Sequence, residues 1–389
     1  MNYTKKILII SKQLDIKPNR SVYLNLAKKG CYIDIIIPNG KTELAQEEKK
    51  YLNIINLKSI GKHPRSFFIV NLFLLIKKKK YNHIFIENDI STIICFQVCF
   101  FKIFLKQLSI SVFTLENIYK NYKFLAIGFL KKLNLKKTLI FFALHILEQF
   151  NKKFINRIFV FNQDSYKIHK KKFLNSNIIK IPLGINLSLF KKNEVKNNFF
   201  KENNKNKRKK IIIGVFGRID KKRGSDLIFK LLLKNKSKIN FDIILDCFHA
   251  YKNNYSTSII GKYKKNFHNR LHLINPTHDD IVDYIKLCDL IIIPSILTKN
   301  SKEQYGRLIV EAKLSNTLII VSEVGAFPET IQNKNLIFRS NFNSLEKKFE
   351  RILNMDYTEK KKIRFINYKY SSRYQTSLYQ SEKIYEKIK

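Results

Sequence analysis

At 389 residues, 45% of them hydrophobic, the chain is long enough for two cores, which excludes a disordered polypeptide over most of its length. Lysine and arginine outnumber aspartate and glutamate 74 to 30, a formal charge of +44 that favours an anionic partner such as nucleic acid or lipid. Lys, Asn, Ile and Phe are abundant together, as AT-rich codons would dictate, so the charge reads equally as genomic background.

The amino terminus carries Lys5 and Lys6, but the apolar run Ile7 to Ile10 is too short for a signal-peptide core, and a cytoplasmic location is expected. Long apolar runs such as Phe67 to Ile76 and Thr138 to Leu147 fall short of the ~20 residues a spanning helix needs. Cys31, Cys95, Cys99, Cys247 and Cys288 are odd in number and lack paired metal-ligand spacing, which fits reduced thiols. Cys95 and Cys99, one helical turn apart among apolar neighbours, read as buried and inert.

In chain order, Ile7 to Ser11 reads as a strand, Val22 to Lys29 as a helix closed by Gly30, and Tyr32 to Ile37 as a strand. The alternation recurs at Ile84 to Glu87, Thr92 to Leu105, Ser111 to Leu115 and Arg157 to Phe161. Continuous β-branched and aromatic runs imply parallel strands buried on both faces. Between Phe190 and Lys210 a tract of Lys, Asn and Glu lacks the apolar content to order itself, marking the domain boundary.

A second α/β series follows: strand Ile211 to Phe216, a helix from Ser225, and strands Phe241 to Leu245 and Leu271 to Asn275. Next come helix Asp279 to Leu287, strand Leu290 to Pro294, helix Gly306 to Leu314 and strand Leu318 to Ser322. The expected organisation is a first lobe over 1–190, a linker over 191–210, a second lobe over 211–356, and a basic helical segment over 357–389 packing back across both. Two doubly wound, Rossmann-like lobes would face a central cleft, with ligands at the strand carboxyl ends.

The chemistry concentrates between Pro294 and Glu329. Glu303 and Glu311 are eight residues apart. With a helix starting near Gly306, Glu303 lies in the loop before it and Glu311 about two turns inside, at ~1.5 Å per residue. The first turn offers backbone N–H groups and the positive dipole end to a pyrophosphate, and Gly306 permits close approach. A solvated amphipathic helix is the plain alternative.

In context the segment Pro294-Ser295, Glu303-Gln304-Tyr305-Gly306-Arg307 through Glu311, and Gly325-Ala326-Phe327-Pro328-Glu329 resembles the signature of the retaining glycosyltransferase family numbered four. Gly214 to Gly224 resembles the same family's Gly-Arg and Lys-Gly pairs, with Arg218 as the first cation and Arg223, beside Lys222, standing for the usual lysine. Pro182-Leu183-Gly184-Ile185-Asn186 is similar to its Pro-x-Gly-x-Asp segment, and Lys5 to Pro38 to its opening strand, helix and strand.

The resemblance implies a GT-B enzyme moving a hexose, with retention, from a UDP- or GDP-sugar to a growing, lipid-linked polysaccharide or glycolipid. It makes Glu303, Arg218 and Arg223 catalytic, with Glu303 on the sugar and the cations on the diphosphate. Glu311 would take the ribose, while Gly306, Tyr305, Arg307, Gly217, Lys222 and Ser295 complete the donor site. Candidates on the acceptor side are Glu116, Asn117 and Arg20.

Several positions depart from that pattern. Gln13 to Arg20 replaces the glycine-rich acceptor loop, Glu116-Asn117 stands where a histidine is usual, Asp246-Cys247-Phe248 replaces a glycine-rich turn, and Asn316 replaces a glycine. Asn316 still suits the left-handed end of a helix. No Asp-x-Asp motif occurs, so no metal or other cofactor is expected, and Arg and Lys with a helix dipole can carry the charge. Asp279-Asp280 reads as a helix start.

Phe67 to Ile76 with Lys77 to Lys80, and Phe124 to Lys137, combine apolar side chains with cations. Both suit either an anionic membrane surface or a core-facing helix with solvated lysines. A basic nucleic-acid-binding protein is the alternative class, but no helix-turn-helix, RNA-recognition or zinc-finger motif is visible, and no nucleic-acid partner is expected.

Overall fold

The computed structural model describes residues 4–389 apart from 41, 62, 64–65, 174–175, 192–209, 248–252, 278–279 and 299–301. The chain forms two units, Met1–Gly184 with Ser377–Lys389, and Ile185–Thr376. The linker expected over 191–210 lies outside the described residues except at its two ends, as does Asp279.

The first unit runs β1 (Lys5–Ile10), α1 (Ser21–Lys28), β2 (Cys31–Ile36), α2 (Gln46–Lys49), β3 (Leu52–Ile54), β4 (Ser59–Ile60) and β5 (Phe68–Ile69). It continues through α3 (Leu72–Lys79), β6 (His83–Glu87), α4 (Ile93–Phe104), β7 (Ser109–Thr114), α5 (Tyr122–Leu130) and α6 (Leu135–Asn151), then β8 (Arg157–Val160), α7 (Gln163–Lys172) and β9 (Asn177–Lys180). Its sheet has the order β3-β2-β1-β6-β7-β8-β9 among the described residues, every pair parallel.

The period of two divides each strand between two cores. Ile7 and Ile9 of β1 join the cluster under α1, whereas Leu8 and Ile10 join the opposite one with Ile94 and Val98 of α4. The stretch Phe67 to Ile76 belongs to this second core through Phe67, Ile69, Leu72 and Ile76, so most of its apolar side chains face inward. Phe124 to Lys137 behaves differently and is taken up below.

The second unit runs α8 (Ser188–Lys191), β10 (Ile211–Val215), α9 (Ser225–Asn235), β11 (Phe241–Asp246), α10 (Asn254–Phe267), β12 (Leu271–Ile274), α11 (Ile281–Leu287) and β13 (Leu290–Ile293). It closes with α12 (Arg307–Leu314), β14 (Leu318–Ser322), α13 (Phe327–Thr330), β15 (Ile337–Phe338), α14 (Phe342–Asn354) and α15 (Tyr357–Tyr374). The sheet order β12-β11-β10-β13-β14-β15 is again wholly parallel. Both sheets reverse their winding once, between β1 and β6 in one and between β10 and β13 in the other, where doubly wound sheets open a crevice at their carboxyl ends.

The segment 357–389 divides between the units. Ile363 of α15 joins the core of the second, while Ile384 and Ile388 of the last helix, α16 (Ser377–Ile388), join Ile7, Val22 and Leu26 in the first. The break falls at Gln375-Thr376, where the Ile185 N–H donates to the Gln375 carbonyl at 3.1 Å and ends the α15 ladder.

Candidate active site

The richest constellation lies at the carboxyl ends of β10 and β13. After β10 the chain turns at Gly217, φ 93°, whose N–H donates to Asp246 Oδ2 at 3.1 Å, and continues to the exposed Arg218. A short 3₁₀ turn, Lys221–Arg223, follows, begun by Asp220 Oδ1 accepting the Lys222 N–H at 2.9 Å. Gly224 ends it at φ 68°, where a Cβ would stand 2.0 Å from the Pro294 carbonyl oxygen, so only glycine lets these loops meet. The Ile296 N–H donates to the Lys222 carbonyl at 2.8 Å and ties them together.

That seam brings Arg223 to Glu303. Arg223 Nη1 donates to Glu303 Oε1, and the buried Ser295 Oγ donates to the same oxygen at 3.0 Å. Partial burial, and then the charge of nearby Arg218, lower the Arg223 pKa. The Glu303 backbone is fixed as well: its carbonyl accepts the Ala326 N–H at 3.1 Å, and Gly325, at φ 61°, passes so close that a Cβ would lie 2.2 Å from that oxygen.

Helix α12 begins directly after this carboxylate. Its N-cap is Gly306 at φ 85°, where a Cβ would meet Phe327 and Ile309 at 2.8 Å. Tyr305 is buried, and its carbonyl accepts Thr330 Oγ1 at 2.7 Å. Glu311, one turn into the helix and buried, accepts Arg307 Nε at 2.7 Å. Past the last turn, Asn316 takes up φ 57°, the left-handed conformation that glycine or asparagine favours there.

The second unit thus gathers Gly217, Arg218, Lys222, Arg223, Ser295, Glu303, Tyr305, Gly306, Arg307 and Glu311 at one end of its sheet. Two guanidinium groups and a helix N-terminus suit a diphosphate, and the carboxylates can accept hydrogen bonds from hydroxyls.

The acceptor-side candidates fall in the first unit and do not form one group. Arg20 is buried, giving Nε and Nη2 to Glu48 at 2.8 and 3.0 Å and Nη1 to the Leu14 carbonyl, so it braces the Gln13 to Arg20 loop. Glu116 and Asn117 follow β7 and are both buried. Burial pushes the Glu116 pKa up to about 7; Lys172 opposes this, and the Asp89 and Glu148 charges add to it. Its Oε1 has no hydrogen-bond partner among the described residues.

Sequence reasoning missed two titratable groups. Glu87 ends β6 at the first sheet's switch point, accepting from Ser11 Oγ at 2.5 Å and from the Tyr23 hydroxyl, and its pKa is raised by burial. An acid closing the apolar run Ile84 to Glu87 was the available signal. Lys313, fully buried in α12, donates to the Thr330 carbonyl, Gln332 Oε1 and Gln375 Oε1 at 2.7, 2.8 and 2.8 Å. Nothing in its sequence context set it apart from the other lysines.

Residues 195–372 match the family described as Glycosyl transferases group 1. No curated protein matches the chain in sequence. Among solved structures the chain is similar to a glycosyltransferase from Rickettsia africae ESF-5, with TM-score 0.71 and 18% identity over 100% of this chain and 98% of that one. It also resembles Anabaena HepE, solved with UDP-glucose, with TM-score 0.66 and 14% identity over 99% of each chain. WaaG, a glycosyltransferase involved in lipopolysaccharide biosynthesis, superimposes with TM-score 0.65 and 12% identity over 98% of this chain and 99% of that one. With the stretch that matches this family covering the constellation around Glu303, and the GT-B fold running the length of the chain, the protein is a glycosyltransferase.

Proposed function

We propose that the protein belongs to the retaining family four and transfers a hexose from a UDP- or GDP-sugar to a growing, lipid-linked cell-surface polysaccharide or glycolipid. The observation that carries this reading is the Glu303 carboxylate, held by Ser295 and Arg223 at the switch point of the second sheet with Glu311 one turn into the adjoining helix. Glu303 orients the donor sugar and Glu311 the ribose. Arg218, Arg223 and the start of α12 take the diphosphate, so no metal is required. HepE, of like fold, is solved with UDP-glucose, and WaaG serves lipopolysaccharide biosynthesis, which supports a nucleotide-sugar donor and a surface glycan product.

The transfer breaks the bond from the anomeric carbon to the diphosphate oxygen and forms one to the acceptor oxygen on the same face. The acceptor proton passes to the departing diphosphate, leaving glycosylated acceptor and nucleoside diphosphate. The guanidinium groups stabilise charge that peaks on the leaving oxygen, an interaction stronger in the transition state than in the ground state. The first unit, with Glu116 and Asn117, would receive the acceptor at a membrane surface on the cytoplasmic side.

A thermal-shift panel of UDP, GDP, ADP and CMP with their sugars tests the donor, since a ligand bound to the native state raises its stability. Proton NMR of the product tests retention, and an inverted anomer would overturn it. A shift with a mixed oligonucleotide but with no nucleotide would favour the nucleic-acid reading.

A further inference from the structure

Helices α5 and α6 invert the usual pattern of burial. The 17 residues of α6 are largely apolar, yet those fully buried are Glu148 and Asn151, and α5 buries Tyr122 and Ala126. The two helices hold each other through Phe129 stacked on Phe141, ring centroids 5.3 Å apart. Away from this seam Phe124 is 74% exposed, Leu135 64% and Leu139 69%. Leu135, Leu139, Phe142 and Ile146 recur at helical spacing and form one exposed stripe along α6. At the tip between the helices Leu133 is 87% exposed and sits at φ 52°, a strained conformation for a branched side chain.

Charge decides what covers this face. From Asn117 to Leu147 there is no aspartate or glutamate, whereas Lys120, Lys123, Lys131, Lys132, Lys136 and Lys137 fall in the same stretch. A second copy docked by two-fold symmetry would set these lysines against themselves, a like-charge contact that costs rather than stabilises. An anionic bilayer offers apolar depth for the leucines and phosphates for the lysines. Among the described residues no helix is long and apolar enough to cross a membrane.

We propose that the α5–α6 hairpin is a monotopic anchor, seating Phe124, Leu133, Leu135 and Leu139 at the headgroup–acyl boundary of an anionic bilayer while Lys131, Lys132, Lys136 and Lys137 engage lipid phosphates. This deepens the membrane-side part of the proposed function and rests on it for its biological sense. Lipid binding itself requires nothing of the donor site.

The test is flotation of the full chain with vesicles of phosphatidylcholine alone or mixed with phosphatidylglycerol, at low and high salt. The protein should float with the anionic vesicles, less so at high salt, and poorly with neutral ones. Replacing Lys131, Lys132, Lys136 and Lys137 together by Gln should weaken anionic-vesicle binding by about tenfold or more. The triple variant Leu133→Ser, Leu135→Ser, Leu139→Ser should lose retention at high salt, with an unchanged melting temperature because these side chains already face water. Equal flotation of that variant and the parent would overturn the proposal. So would failure of the parent to float, or a parent dimer that the variant turns into monomers. UDP and GDP thermal shifts on the same samples keep the readings apart: shifts without flotation sink the anchor alone, and flotation without shifts sinks the UDP- or GDP-sugar donor.

Discussion

Arg223 and Glu303, eighty positions apart in sequence, share a hydrogen bond. The cation expected on the diphosphate and the acid expected on the sugar are therefore coupled, and in the proposed site a diphosphate would compete with Glu303 for the guanidinium. Glu303→Gln keeps the shape, weakens the acceptor that orients the sugar, and releases Arg223 toward phosphate. Turnover should fall by two orders of magnitude or so while nucleotide affinity holds or tightens. Steady-state kinetics with calorimetry on the nucleoside diphosphate checks this, and a variant transferring sugar at the parent rate would show that the site is elsewhere.

Glu311 sits deeper, beside Arg307. Glu311→Ala removes the proposed ribose contact and leaves the Arg307 guanidinium without that carboxylate. Nucleotide binding should weaken by roughly 1–3 kcal/mol, with a smaller effect on the chemical step. The Kd of UDP or GDP, set against single-turnover rates, separates the two.

Gly325 tests whether the Glu303 loop is held by backbone contact. With φ 61° and a hypothetical Cβ 2.2 Å from the Glu303 carbonyl oxygen, Gly325→Ala must push the loop away. Stability should drop by about 1–3 kcal/mol and turnover with it. Gly261, on α10 with open space around it, provides the contrast, since Gly261→Ala should gain about 1 kcal/mol and leave turnover alone. Thermal melts of both variants decide it.

Lys313 predicts a pH dependence. Burial lowers its pKa to about 7 from the ordinary 10.5, so between these values the unfolded chain holds more protons than the native one. Stability should rise with pH across that window. Lys313→Met should remove the slope and also lower the melting temperature, by about 1–3 kcal/mol in stability, because the Thr330, Gln332 and Gln375 oxygens each lose a short hydrogen bond from the Lys313 amine. A melting series against pH for both proteins is the measurement.

The two sheets were legible because runs such as Ile7 to Ile10 and Leu290 to Ile293 are too uniformly apolar for anything but strands buried on both faces. The gathering of the proposed donor-site residues was legible because Glu303, Gly306 and Glu311 lie along one loop and helix. The Arg223–Glu303 pairing was not, since tertiary contact alone brings β10 beside β13. The split of 357–389 was equally hidden, because α15 and α16 are similar helical patterns whose apolar residues belong to different cores. Phe67 to Ile76 and Phe124 to Lys137 read alike as sequence. One has a sheet to cover and the other keeps much of its apolar surface toward solvent.

Glu116 provides the test of the first unit. Its pKa of about 7 lies above the ordinary 4.5, so between these values the native state keeps a proton that the unfolded chain releases, and the stability this contributes is lost as pH rises through that interval and levels off above it. If the ionised carboxylate accepts a hydrogen bond from the acceptor hydroxyl, KM for the acceptor should fall as pH climbs through 7. Glu116→Gln, which resembles the protonated acid at every pH, should flatten that dependence and hold KM at the low-pH value, leaving nucleotide affinity unchanged. Acceptor KM against pH for parent and variant is the measurement. An identical slope in both would remove Glu116 from the acceptor site and leave it a buried structural acid.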